Sequence, residues 1–173
     1  MAPLPQRVRD EHRELMLRIE LLRTLADSIG SASAESIREG VGQAYTFLIH
    51  QLIPHAQAEE QVLYPTVGRL LRALEATETM SRDHLEVIRL TEDLEALRLH
   101  LYYTPISESN EQALRRVLYG LYAIIKLHLA KEEEIYLPIV EARLPAEEVN
   151  GLLEAMEGTV MEAKSSLRMI DPY

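Results

Sequence analysis

The feature that most constrains this chain is the presence of histidine and glutamate on helical stripes that are otherwise apolar. Leu114, Leu118, Leu121, Ile125, His128, Glu132, Ile135 and Ile139 follow alternating steps of three and four, the spacing of a core-facing helical edge. A second stripe reads Val41, Leu48, Leu52, His55, Glu59 and Val62. Each carries a His-x-x-x-Glu pair. Residues four apart sit about 40° from one another around a helix of 3.6 residues per turn, so both members point inward. An ionised carboxylate in an apolar interior needs a partner or a metal. Two such pairs require a common explanation.

The chain also repeats. His12 and His84 lie 72 residues apart, while His55 to His128, Glu59 to Glu132 and Pro65 to Pro138 each span 73. His12 sits on a stripe with Val8, Leu15, Ile19, Leu22, Ala26 and Ile29; His84 sits with Met80, Val87, Thr91, Leu94 and Leu101. Each half is therefore a helix with one inward histidine followed by a helix with an inward pair. The pattern predicts helices over 4–29, 34–63 (with Pro54 kinking it just before His55), 67–74, 81–103, a fourth reaching about residue 143, and 146–167. Gly30 serves as a stop, Ser107 or Ser109 as a cap, and the tail from Met169 carries no readable signal. No β alternation occurs. The expected fold is all-α: an antiparallel up-down four-helix bundle over 1–144 with an additional C-terminal helix over 145–173.

Pseudo-twofold packing of the two halves would bring His12, His55, Glu59, His84, His128 and Glu132 to one level of the core. Six donors suit two metal ions, each taking two imidazoles, with the carboxylates and an oxo or hydroxo group bridging. Imidazole with carboxylate suits iron first, with manganese or zinc less favoured. The chain has no cysteine, which excludes disulfides, iron–sulfur clusters and thiolate zinc. A net charge of −10 speaks against nucleic acid and against an anionic membrane surface as partners. No apolar run is long enough to span a bilayer, and the first residues lack the apolar core of a secretory signal, so the expected location is cytoplasmic.

The order His12, His55-x-x-x-Glu59, His84, His128-x-x-x-Glu132 resembles the hemerythrin-like, HHE cation-binding domain, over residues 8 to about 140. The resemblance implies a four-helix bundle holding a non-haem di-iron centre that binds or reacts with dioxygen, nitric oxide or peroxide. It makes the four histidines terminal ligands and Glu59 and Glu132 the bridging carboxylates. An oxygen or redox binder or sensor is the first functional expectation. A peroxidase-like or nitric-oxide-reducing enzyme, or an iron-handling protein, is the alternative. The chain departs from the reversible oxygen carriers of that family. Ile88 stands where they have a fifth histidine. Their fourth-helix aspartate aligns with Glu133, whereas the internal repeat selects Glu132. Tyr45 and Tyr122 are the tyrosines nearest in sequence for the vacant position, although neither lies squarely on a stripe.

The remaining polar residues have plainer readings. His50 and His100 fall on outward faces. Glu60, Glu133 and Glu134 read as a solvated face, with a supporting role for Glu60 or Glu133 as the minor option. Arg9 with Asp10 and Arg82 with Asp83 read as surface pairs. Met16, Met80 and Met161 read as core, and Pro65 and Pro138 as helix bends. A ferritin-like bundle would need Glu-x-x-His pairs and a zinc hydrolase His-Glu-x-x-His; the chain has neither.

Overall fold

Capping residues fix where the helices begin and end in this computed structural model, which describes residues 4–170, with side chains for 6–167. The readings made for the first three residues and for the tail beyond Ile170 fall outside the described residues. Helix α1 runs over Leu4–Ser28, and Gly30 follows with φ of 91°, a left-handed conformation that glycine adopts without steric cost. Ser33 opens α2 by accepting the Ser36 N–H at 3.1 Å. Helix α2 occupies 34–71 in unbroken pieces, two of them π-helical. A 3₁₀ turn, Leu74–Thr77, leads into α3, Glu78–Tyr103. Ser107, one of the two serines expected as a cap, starts α4 with a capping box closed by Asn110, a device worth about 1 kcal/mol. Helix α4 occupies 108–143, and α5 follows over Ala146–Ile170, three residues longer than its stripe suggested.

Consecutive helices pack side by side and α4 closes the ring on α1, giving the up-down bundle. Helix α5 lies across the lower half of α2. The apolar core comes in two blocks. One is built around Ile19, Leu48, Leu94, Leu118 and Leu121. The other holds Val8, Leu63, Tyr64, Val67, Met80 and Leu137, together with Val149, Leu152, Leu153 and Met156 of α5.

Three π-helical turns, Leu48–Leu52, Glu59–Leu63 and Glu132–Tyr136, interrupt α2 and α4. In each, an N–H reaches back five residues: Ile53 to Leu48, Tyr64 to Glu59, and Leu137 to Glu132. Each is followed, one residue on, by a proline: Pro54, Pro65 and Pro138. Proline lacks an N–H, and its ring collides with the carbonyl four residues earlier in a regular helix. A widened turn removes that collision, and such turns recur at functional sites. The prolines are therefore accommodated by wide turns rather than by helix ends.

The extra residue in each turn rotates everything beyond it. This corrects the sequence stripes past the glutamates. Ile135 is 50% exposed, Val62 and Ile139 are half-buried, and Leu63, Tyr64, Tyr136 and Leu137 face the core instead. Met161 is likewise 70% exposed rather than core. The expected surface pairs are rearranged too. Arg9 joins Glu141, Asp10 joins Arg13, Arg82 joins Glu78, and Asp83 joins Lys131. The rotated register gives a direct test. Urea unfolding of Ile135→Ala is expected to differ from wild type by less than about 0.5 kcal/mol, and that of Leu137→Ala by about 2–5 kcal/mol. The reverse ranking would restore the unbroken stripe.

Candidate metal centre

The two apolar blocks are separated by a layer of polar side chains. His12 comes from α1, His55 and Glu59 from α2, His84 from α3, and His128 and Glu132 from α4. All six are buried, and both glutamates have 0% exposure. The layer thus gathers all six histidine and glutamate donors that the sequence repeat singled out.

Glu59 reaches both halves of the layer. Its Oε1 lies 2.9 Å from His55 Nε2 and 4.0 Å from His12 Nε2, and its Oε2 3.2 Å from His84 Nε2 and 3.9 Å from His128 Nε2. Glu132 does the same, with Oε2 3.5 Å from His12 Nε2 and Oε1 3.5 Å from His128 Nε2. Two donor clusters result: His12, His55, Glu59 and Glu132 on one side, and Glu59, His84 and His128 on the other. Glu59 belongs to both.

The outer nitrogen of every histidine meets a second carboxylate. Nδ1 of His12 lies 3.3 Å from Glu133, of His55 3.2 Å from Glu11, of His84 2.7 Å from Glu60, and of His128 3.1 Å from Asp83. An ionised carboxylate only accepts, so each Nδ1 directs a proton outward, and a ring in its neutral form turns a bare Nε2 lone pair inward. Glu60 is steadied by the Ser81 hydroxyl at 2.9 Å, and Asp83 by Lys131. Carboxylate–imidazole pairs of this kind fix ring orientation and raise donor basicity at metal sites. All four of these carboxylates adjoin a residue of a stripe, and Glu60 and Glu133 were read as mostly solvated. Their spacing gave no sign of the contact because it is made to a neighbouring helix.

These lone pairs face acceptors. His84 and His128 bring their Nε2 atoms within 2.9 Å of each other. His12 Nε2, His55 Nε2, both Glu59 oxygens and Glu132 Oε2 are buried without a hydrogen-bond partner among the described residues. Such orphaned acceptors each carry a desolvation cost, and inward-pointing lone pairs repel. A cation between them resolves both problems, so the donor set fits metal.

Protons fill the gap in the bare protein. Burial and the neighbouring His55 lower His12 to about 4. Burial also disfavours charge on His55 and His128, but Glu59 and Glu11 raise His55 well above its usual value, and Glu132 and Glu59 raise His128 to about 10. Burial and the adjacent Glu59 push Glu132 up to about 7. Glu59 feels the same burial, yet His55, His128 and His84 hold it well below the usual carboxylate range.

Tyr64 completes the layer. Its hydroxyl donates to Glu132 Oε1 at 2.7 Å and lies 3.1 Å from His128 Nε2, while its ring stacks on His84 at 5.5 Å. Burial, Glu59 and Glu132 drive its ionisation far above the ordinary range, so it remains a phenol. Tyr64, rather than Tyr45 or Tyr122 as the sequence suggested, is the tyrosine that touches these donors. Tyr122 instead bonds Glu20, and Tyr45 lies under Arg98. The signal that would have found Tyr64 is Pro65: a wide turn before that proline brings Tyr64 into line with Glu59.

No curated protein and no solved structure matches the chain. Residues 4–140 match the hemerythrin HHE cation-binding domain family, a span that includes all six inner residues, Tyr64 and the four outer carboxylates. No described helix is long and apolar enough to cross a membrane. With its helical bundle and its buried histidine and glutamate donors, the chain belongs to the hemerythrin HHE cation-binding domain family.

Proposed function

We propose that the protein is a non-haem di-iron protein that binds or reacts with dioxygen, nitric oxide or peroxide. His12 and His55 would hold one ion, His84 and His128 the other, with Glu59 and Glu132 spanning both. The carrying observation is that each of these two carboxylates approaches imidazoles of both pairs. When bound, a pair of iron ions supplies electrons and open coordination positions for a small oxidising ligand.

The chain's own residues do the rest. Glu11, Glu60, Asp83 and Glu133 hold the Nδ1 protons and aim the rings. The apolar blocks on either side exclude water. Tyr64 keeps a proton on its hydroxyl, 2.7 Å from Glu132, and can deliver it to a ligand that gains negative charge. The two halves of the repeat differ here. The residue 73 positions after Tyr64 is Leu137, which is fully buried and apolar. The phenol therefore serves the His84–His128 side alone. A proton donor next to the site favours reaction over simple carriage, which is the ground for keeping an enzymatic role beside sensing or binding.

Metal analysis of the purified protein, with absorption spectra before and after dioxygen, nitric oxide and peroxide, tests the assignment. About two irons per chain are expected. Full metal content in a Glu59→Ala, Glu132→Ala double variant would sink the idea. Metal at a hundredfold excess over its Kd should stabilise the fold by about 2.7 kcal/mol, a rise in Tm of roughly 5–10 °C for a chain of this size, and chelation should reverse it. Glu60→Gln should weaken metal binding about 10–100-fold with the helical content intact. Tyr64→Phe should retain its metal. If the protein turns over peroxide or nitric oxide, that variant should lose about 10²-fold or more in rate at neutral pH; an unchanged rate would remove the phenol from the chemistry.

A further inference from the structure

At the far end of the bundle from the metal layer, α2 and α3 enclose a cleft of about 300 Å³. Arg38 on its rim and His55 in the layer are 17 residues apart on α2, so about 20–25 Å separates the two places. Val41 and Leu101, both buried, form the floor, and Leu99, Tyr102 and Tyr103 of α3 form a wall. These last three are exposed by 50%, 77% and 82%, an apolar and aromatic edge that water solvates poorly.

Two arginines face this apolar space. Arg38 donates its Nε to Leu101 O at 2.8 Å and one terminal nitrogen to Thr104 O at 3.2 Å. Those bonds tie it to the last carbonyls of α3 and leave its other terminal nitrogen available. Arg98 lies over the Tyr45 ring at 4.7 Å, and its Nε is buried without a hydrogen-bond partner among the described residues. Neither guanidinium forms an ion pair among those residues. By contrast Arg7, Arg9, Arg13, Arg23, Arg82 and Arg89 each meet a carboxylate. In a chain of net charge −10, two arginines without an ion pair thus line one apolar cavity.

We propose that this cleft binds a small organic anion: a carboxylate or sulfonate head held by Arg38 and Arg98, with an apolar or aromatic body lying against Val41, Leu101 and Tyr102. The guanidiniums are already positioned, Arg38 by two backbone carbonyls and Arg98 by the Tyr45 ring, so little side-chain freedom is lost on binding. The volume matches the lower end of small-molecule sites and equals that of about ten water molecules at ~30 Å³ each. It is too large for a bare inorganic anion and suits a body of roughly ten heavy atoms. Gly42 keeps the cleft open, since a Cβ built there meets nothing within 4 Å.

The same glycine supplies the test. Gly42→Leu sends a side chain from an open Cβ position into the cleft, and replacing glycine within a helix favours the fold. The probe is 8-anilinonaphthalene-1-sulfonate, an aromatic sulfonate whose fluorescence can be excited with no tryptophan in the chain to interfere. Titration of metal-loaded and metal-free protein should show one site in both forms, displaced by decanoate and not by equal concentrations of decanol. Gly42→Leu and Arg98→Gln should each weaken it at least tenfold, with the melting temperature of Gly42→Leu no lower than wild type and its metal content unchanged. Undiminished binding by Gly42→Leu would overturn the proposal, as would equal displacement by decanol. Concentration-dependent dimerisation abolished by Gly42→Leu, with no decanoate binding, would assign the cleft to a second copy and also overturn it. Because the readout does not depend on metal, failure here leaves the di-iron reading standing, and failure of that reading leaves this one standing.

Discussion

Everything in this bundle is arranged about the cost of two carboxylates with no exposure to water. Glu59 and Glu132 sit between apolar blocks with several oxygens unbonded, and an unpaired buried charge is among the most destabilising features a core can carry. The surroundings compound the cost. Glu11, Glu60, Asp83 and Glu133 ring the layer from outside, so six carboxylates converge on one level, answered there by the ammonium of Lys131 on Asp83. Dispersed over a surface, this many acids would matter little. Concentrated around four inward lone pairs, they describe a cavity of negative potential that divalent or trivalent cations relieve. The bare protein answers with protons instead, retaining them on His55, His128 and Glu132. Metal entry must therefore expel protons, so uptake is linked to pH.

The wide turns solve a geometric problem set by the same residues. A glutamate one turn after an inward histidine continues the stripe, and a regular helix would then bring residues 62 and 135 inward. The π-helical turns begin at Glu59 and Glu132 themselves. They rotate the chain directly after the donor, so that Leu63 and Tyr64 on one side and Tyr136 and Leu137 on the other close the second apolar block. The prolines at 65 and 138 make the ordinary turn unfavourable and thereby hold the wide one in place. Donor, wide turn and proline are one device used twice. Pro54 after the Leu48–Leu52 turn uses the same steric logic one residue before His55.

This explains which parts of the molecule were legible in the sequence. The helices, their order and the six inner donors follow from three-and-four periodicity and from the 72- and 73-residue repeat, because packing in a bundle obeys that period as far as the helices stay regular. Legibility ended where they do not. Tyr64 and Leu137 lay out of phase for a reader using 3.6 residues per turn, and Ile135 looked buried. The outer carboxylates escaped for a different reason. Asp83 beside His84 serves His128, Glu11 beside His12 serves His55, and Glu60 beside Glu59 serves His84. Each supports a ring on another helix, and only the assembled bundle shows which.

The repeat also shows what has been made unequal. Equal spacing of the donors gives each half of the layer two imidazoles, with Glu59 reaching both. Beyond the layer, Tyr64 answers Leu137, and Leu63 answers Tyr136, whose hydroxyl turns away to Ala76 O at 3.0 Å. One side of the centre thus has a phenolic proton and a stacked imidazole; the other has hydrocarbon. Helix α5, which lies outside the span matched to the family, adds to the difference. Leu153, Met156 and Val160 with Arg7, Glu11 and His55 line a cavity of about 360 Å³ beside the His12–His55 pair. On the proposed reading, this cavity would let a small ligand come up to the half of the centre that lacks the phenol. On the di-iron reading proposed above, binding on that side and protonation from the other would be separate functions on a pseudo-symmetric frame. A chain with two identical halves would have to perform both at the same place.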